Sequence, residues 1–147
     1  GNGAYELQMK LRTTTVRLLR KKMFDKAIHV LEDGAQRLLD MKEEGSACDI
    51  TEYLLDVYTQ ADVKMDDENR KRIISILSRT TSPTWRRKSI AAASKWAVKA
   101  TGNSLGDPQL NVLLSKLLAQ GTSAILVNNR QPVVRGREAF DRSRGKR

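Results

Sequence analysis

The feature that most constrains this fold is a recurring three- and four-residue spacing of apolar side chains, interrupted by short polar turns. The clearest stripe lies within residues 25–42, where six apolar side chains fall on one face of a predicted helix. A helical period of this kind recurs in five further segments, before and after this one, and none of residues 1–120 shows a competing strand signal. The sequence therefore predicts an all-α fold of six helices whose antiparallel pairs stack as an α-solenoid.

Turn and cap signals separate these helices. Asp49 precedes Ile50 and is followed three residues later by Glu52, which predicts an N-terminal capping box for the third helix. Further start signals are Asp66 or Asp67 for the fourth helix, Ser82-Pro83 for the fifth and Asp107-Pro108 for the sixth. Gly102 marks the end of the fifth helix.

The second helix also carries a repeat-like pattern. Residues 24–28 followed by Gly34 and Ala35 are similar to a tetratricopeptide motif, although no clean 34-residue repeat runs through the chain. Gly34 in mid-helix costs roughly 1 kcal/mol relative to Ala. We therefore expect a neighbouring helix to approach closely at this point, and we expect the helix pairs to be tetratricopeptide-like.

The charge of the chain is unevenly distributed. The formal net charge is +10, from 27 Lys and Arg against 17 Asp and Glu. Residues 121–147 hold seven of these cations and two of the acids, together with several Gly, Gln, Asn and Ser residues. We predict a helical-repeat domain over residues 1–120 and a basic, disordered tail over residues 121–147.

Catalytic and metal-binding constellations are missing from the sequence. His29 and Cys48 are the only His and Cys residues, so a His/Cys metal site is excluded, and no phosphate-binding glycine loop is present. No stretch approaches the roughly 18 apolar residues that a membrane-spanning helix needs. We expect a protein that is not an enzyme, uses no cofactor and does not insert into a membrane.

Basic clusters are the remaining functional signal. Arg17, Arg20 and Lys21 close the first helix, where cations also complement the helix dipole, and for Lys21 that structural role is the favoured interpretation. Residues 70–72 and 86–88 form two further clusters. With the basic tail, these clusters leave open a second hypothesis, a helical-repeat module that binds nucleic acid. The acidic residues of the helical body make nucleic acid the less favoured partner.

Three stretches carry a resemblance to a known family. They are residues 19–35, residues 45–67, which include the run from Tyr53 to Tyr58, and residues 96–118, which include Gly106-Asp107-Pro108. In this order and spacing they resemble the cytosolic adaptor called subunit four of the guided-entry pathway for tail-anchored membrane proteins. The resemblance covers about residues 5–120.

The resemblance implies a non-catalytic α-solenoid adaptor in the cytosol. Its N-terminal half would dock on the targeting ATPase of the pathway, and its C-terminal half would bind a ubiquitin-like partner subunit. Family members continue beyond this region, so we expect the solenoid to be truncated and the ubiquitin-like partner to find little of its binding half here.

Site residues follow from the resemblance position by position. It assigns ATPase anchoring to Arg20, with Arg17 and Lys21 beside it, and regulation of the ATPase to Asp49. Tyr5 matches a motif of the first helix pair, but Ala4 stands where family members commonly have an aromatic residue. Asp49 keeps two interpretations, a partner contact and a helix cap.

Overall fold

The computed structural model describes the backbone of residues 2–130 and the side chains of residues 3–120. Six helices account for most of this region, and it contains no strand, as predicted. Their bounds are α1 Asn2–Arg20, α2 Phe24–Asp40, α3 Glu44–Gln60, α4 Asp67–Leu77, α5 Pro83–Thr101 and α6 Pro108–Arg130.

Successive helices run antiparallel, and the six helices form two layers. Helices α1, α3 and α5 pack side by side in one layer, and α2, α4 and α6 pack in the other. Side-chain hydrogen bonds between successive pairs join residues 37 to 43 positions apart, from Arg12–Asp49 to Gln36–Arg79. This spacing is the length of a two-helix unit, which agrees with stacked helix pairs. A superhelical solenoid stays a prediction.

The core runs continuously between the two layers. Its largest fully buried side chains include Trp96 and Tyr58, whose rings meet edge to face with centroids 4.9 Å apart. The Tyr58 hydroxyl accepts a hydrogen bond from Arg72 Nη1 at 3.0 Å, and burial raises the pKa of Tyr58 to about 12. Edge-to-face aromatic pairs contribute roughly 0.5–1.5 kcal/mol beyond their buried area. This pair links α3 to α5 at the centre of the fold.

The first three helices end in the same tight turn. Lys22, Lys42 and Asp62 each adopt a positive φ, at 59°, 64° and 54°. At α2 the backbone amides of Lys42 and Glu43 bond back to Leu39 and Leu38, which is the double hydrogen bond of a Schellman motif. The amides of Lys22 and Met23 after α1, and those of Asp62 and Val63 after α3, make the equivalent pairs of bonds. The first two turns reverse the chain within three residues, and the connection from α3 to α4 takes six; together they set the antiparallel packing.

Gly34 lies where α1 crosses α2, as the sequence predicted. A Cβ at this position would meet Leu11 of α1, with Leu11 Cγ at 3.0 Å and both methyl carbons closer. Real Cβ contacts of this length are essentially absent. A side chain at this position would have to displace Leu11, so glycine favours the close approach of the two helices.

The predicted cap at Asp49 is wrong. Helix α3 begins at Glu44, so Asp49 lies inside it, one turn after the start. The reason is tertiary: Ala47 and Cys48 are buried, and Gly45 packs against the indole of Trp85, so packing extends the helix backwards. The other starts are confirmed, with Asp66, Ser82 and Asp107 immediately before α4, α5 and α6.

Helix α6 continues past the predicted domain boundary. It runs to Arg130, so the change of composition after Gln120 does not coincide with the end of a helix. The remainder of the predicted tail, residues 131–147, lies outside the described residues. Within α6, Leu114 and Leu117 are buried against the preceding helices.

Candidate docking surface

The basic end of α1 is the first candidate surface. Arg17, Arg20 and Lys21 are exposed, and none of them pairs with an acidic side chain in the part of the chain that the structure describes. Arg17 and Arg20 lie in the last turn of α1, where cations offset the partial negative charge of the helix end. The three side chains therefore present unneutralised positive charge to solvent.

Most other arginines flagged by the sequence are used inside the fold. Arg70 pairs with Asp107 at 2.9 Å, and Arg72 pairs with Glu32 at 3.1 Å. The guanidinium of Arg86 is buried and donates to the carbonyl oxygens of Thr80 and Leu117, at 2.8 and 3.0 Å. These contacts hold α4 and α5 to their neighbours. Arg70, Arg72 and Arg86 are thus used within the fold, whereas Lys71, Arg87 and Lys88 of the same clusters are exposed.

The ion pair between Arg70 and Asp107 shifts the pKa of both groups. A hydrogen bond from the Arg70 side chain lowers the pKa of Asp107, and backbone amides at the start of α6 lower it further. The same hydrogen bond raises the pKa of Arg70. Arg70 is therefore committed to this contact and is not a free cation for a ligand.

Asp49 lies on the outer side of α3 and is bound by α1. Arg12 Nη2 donates to Asp49 Oδ1 at 2.7 Å and Arg12 Nε donates to Oδ2 at 3.1 Å, while Gln8 Nε2 donates to Oδ2 at 2.7 Å. The Arg12 guanidinium also lies 5.0 Å from the ring centroid of Tyr53. The contact of Arg12 with Asp49 could not be predicted from the sequence, because no local pattern links residues so far apart in the chain.

Tyr5 and Arg20 occupy opposite ends of α1. The Tyr5 side chain is 62% exposed in the second turn, while the neighbouring Ala4 is buried in the core. At 1.5 Å rise per residue, Tyr5 and Arg20 lie about 22 Å apart along the helix. The structure therefore brings Arg17, Arg20 and Lys21 together at the end of α1, but places Asp49 on α3 beside the middle of α1 and Tyr5 at the far end of α1.

Reactive and metal-binding groups give no alternative site in residues 3–120. Cys48 is buried against Ser89, and burial raises the pKa of its thiol, which disfavours the nucleophilic thiolate. No cluster of three potential metal ligands occurs among the described residues. No described helix is long and apolar enough to cross a membrane.

The chain is similar to known proteins over most of its length. The family model described as Golgi to ER traffic protein 4 matches residues 21–138, past the point where we expected the resemblance to end. Golgi to ER traffic protein 4 of Schizosaccharomyces pombe is 36% identical over 73 residues, which are 50% of this chain and 24% of that protein. The Golgi to ER traffic protein 4 homolog of Dictyostelium discoideum is 23% identical over 117 residues, 79% of this chain and 38% of that protein.

Proposed function

We propose that this chain, which belongs to the Golgi to ER traffic protein 4 family, docks on the targeting ATPase of the tail-anchored protein pathway through the basic end of α1. The family is one of non-catalytic adaptors, and membership implies a role in this pathway. The chain spans 24% and 38% of the lengths of the two relatives. The partner, the contact residues and a cytosolic location are therefore proposals.

One observation carries the docking proposal. Arg17, Arg20 and Lys21 are exposed together without an acidic partner among the described residues, whereas Arg70, Arg72 and Arg86 are engaged within the fold. Exposed cations without an acidic partner steer an acidic surface toward them by long-range attraction. The proposed partner surface on the ATPase is accordingly acidic.

Asp49 has a second role in this proposal. Its carboxylate is already bound by Arg12 and Gln8, so an ATPase cation that approaches it must share or displace these donors. We assign Asp49 to a regulatory contact and Arg20 to anchoring, with Arg17 and Lys21 contributing to the approach of the partner. Tyr5, at the other end of α1, is an additional contact only if the ATPase covers the whole helix.

The test is a binding titration of the full chain against the ATP-loaded targeting ATPase from the same source. We expect salt-sensitive binding that weakens at least tenfold in Arg20→Glu. The matched control is Lys116→Glu, an equal charge change at an exposed position on α6. Equal effects of the two variants, or no binding by a folded chain, would contradict the docking proposal.

Two other candidate partners are a ubiquitin-like subunit and nucleic acid. The ubiquitin-like partner subunit is expected on the C-terminal half of family members, and we propose no site for it within residues 2–130. Nucleic acid is the less favoured partner because the helical body carries many acidic residues and because Arg70, Arg72 and Arg86 are used within the fold. Deleting residues 131–147, which leaves α6 whole, distinguishes the hypotheses: ATPase binding should survive, whereas binding of nucleic acid through the tail should be lost.

A further inference from the structure

A groove runs between α3 and α5 on the face of the layer that these two helices share. The α3 wall presents Glu52 and Asp56, and the α5 wall presents Lys88, Lys95 and Lys99. Its open volume is about 450 Å³. Neither wall belongs to the basic end of α1, so the groove is separate from the proposed ATPase anchor.

The floor of the groove is low because its side chains are small or buried. Ala91 and Ala92 occupy the α5 side, and Leu55 and Trp96 are almost fully buried beneath. Lys88 and Lys99 lie eleven residues apart, so the groove is about 16 Å long. This length accommodates about three turns of a docked helix. The side chains of such a helix can pack into the groove between α3 and α5.

The charges of the groove are only partly satisfied. Lys88 lies 4.0 Å from Glu52, and its Nζ is 5.7 Å from the ring centroid of Trp85, so this end is self-paired. Asp56, Lys95 and Lys99 are exposed and form no ion pair within residues 3–120. The groove thus has one unpaired anion on its α3 wall and two unpaired cations, four residues apart, on its α5 wall.

This arrangement selects the kind of ligand. A uniformly anionic ligand, such as RNA or an acidic lipid surface, would be attracted by the lysines but repelled by Glu52 and Asp56 within the same screening length of about 8–10 Å. A helix with acidic side chains four residues apart along one edge and a basic side chain along the other matches both walls. We propose that the α3–α5 groove binds an amphipathic helix of a protein partner with this charge pattern and small apolar residues between its edges.

The probe is a labelled synthetic helix of three turns with Glu along one edge, Lys along the other, and Ala and Leu between them. Two comparison peptides carry Glu on both edges or Lys on both edges. Fluorescence anisotropy with the full chain should rank the mixed peptide first, by at least fivefold over either comparison peptide. A helix with exchanged edges is not a control, because it can bind in the reverse direction.

Two variants of the chain locate the binding. Lys95→Glu combined with Lys99→Glu should weaken the mixed peptide at least tenfold, and Ala92→Trp should block the groove without changing the charge. Lys116→Glu combined with Lys26→Glu, an equal charge change at exposed positions outside the groove, is the charge control, and circular dichroism confirms that each variant is folded. Equal binding of all three peptides, no binding of the mixed peptide at millimolar concentration, or tighter binding of single-stranded RNA or anionic vesicles than of that peptide would overturn the proposal.

Discussion

Arg12 and Asp49 form the main polar link between the outer faces of α1 and α3. Arg12 Nη2 lies 2.7 Å from Asp49 Oδ1 and 2.8 Å from Oδ2, and Arg12 Nε completes a forked contact at 3.1 Å. The side chains of the two residues are 41% and 34% exposed, so solvent screens part of their attraction. This ion pair connects the first helix pair to the second. A protein partner that contacts Asp49 must therefore also contact or displace Arg12.

A double-mutant cycle of Arg12→Ala and Asp49→Ala should measure this link. We expect a coupling free energy of about 1 kcal/mol, because forked contacts exceed ordinary surface pairs, and we expect it to fall as salt is added. Urea denaturation gives the free energy of unfolding for each variant. The comparison cycle is Glu52 with Lys88, a single contact at 4.0 Å, for which coupling should be close to zero. Equal coupling in both cycles would contradict this assignment.

Gly34→Ala should destabilise the chain although alanine favours a helix. The added Cβ would overlap Leu11, and overpacking of this kind costs about 1–3 kcal/mol, more than the roughly 1 kcal/mol gained in helix propensity. Gly3→Ala is the matched control, since the nearest atom to its Cβ, Met41 Cε, is at an ordinary 3.6 Å. Thermal unfolding should show a lower midpoint for Gly34→Ala only. A midpoint raised by both substitutions would mean that α1 and α2 do not approach as described.

The sequence predicts some parts of this fold well and others not at all. The period of apolar side chains located all six helices, and Gly34 indicated a close helix contact, because both are consequences of local spacing and steric size. The predicted start of α3 is too late, because Gly45 and Ser46 look like a turn, whereas packing of Gly45 against Trp85 and burial of Ala47 and Cys48 keep this segment helical. The contact between Arg12 and Asp49 could not be predicted from the sequence, and neither could the α3–α5 groove. Each is formed by residues from two different helix pairs. The roles of Arg20, Arg17, Lys21, Asp49 and Tyr5 toward a partner stay predictions.

Glycine should be favoured at two turns where the backbone has a positive φ. Lys42 has a φ of 64° at the end of α2, and Lys42→Gly should stabilise the chain by about 0.5–1 kcal/mol because glycine adopts this conformation without strain. Gly102 has a φ of 70° after α5, and no atom would contact a Cβ there. Gly102→Ala should therefore cost about 1 kcal/mol from backbone strain alone. Urea denaturation measures both, and a change of the same sign for the two substitutions would contradict the left-handed geometry of one turn.

Asp107 should make the stability of the chain depend on pH in acid. The hydrogen bond from Arg70 lowers the pKa of Asp107 below the ordinary value of 3.8. A carboxyl whose pKa is lower in the folded state contributes stability that is complete above the unfolded value and is lost as pH falls through the folded value. The free energy of unfolding should therefore exceed that of Asp107→Asn by about 2 kcal/mol near pH 7, and this difference should shrink below pH 3.8.

The control for this prediction uses the same cation. Asp67 also contacts Arg70, at 2.8 Å, but its side chain is 81% exposed, whereas that of Asp107 is 11% exposed. Asp67→Asn should cost only about 0.3 kcal/mol, because water screens an exposed pair. Urea denaturation of the three proteins across the acid range measures both differences. If the two asparagine variants lose the same stability, Arg70 gains no more from the buried carboxylate than from the exposed one, and the assignment of Asp107 as its main partner is wrong.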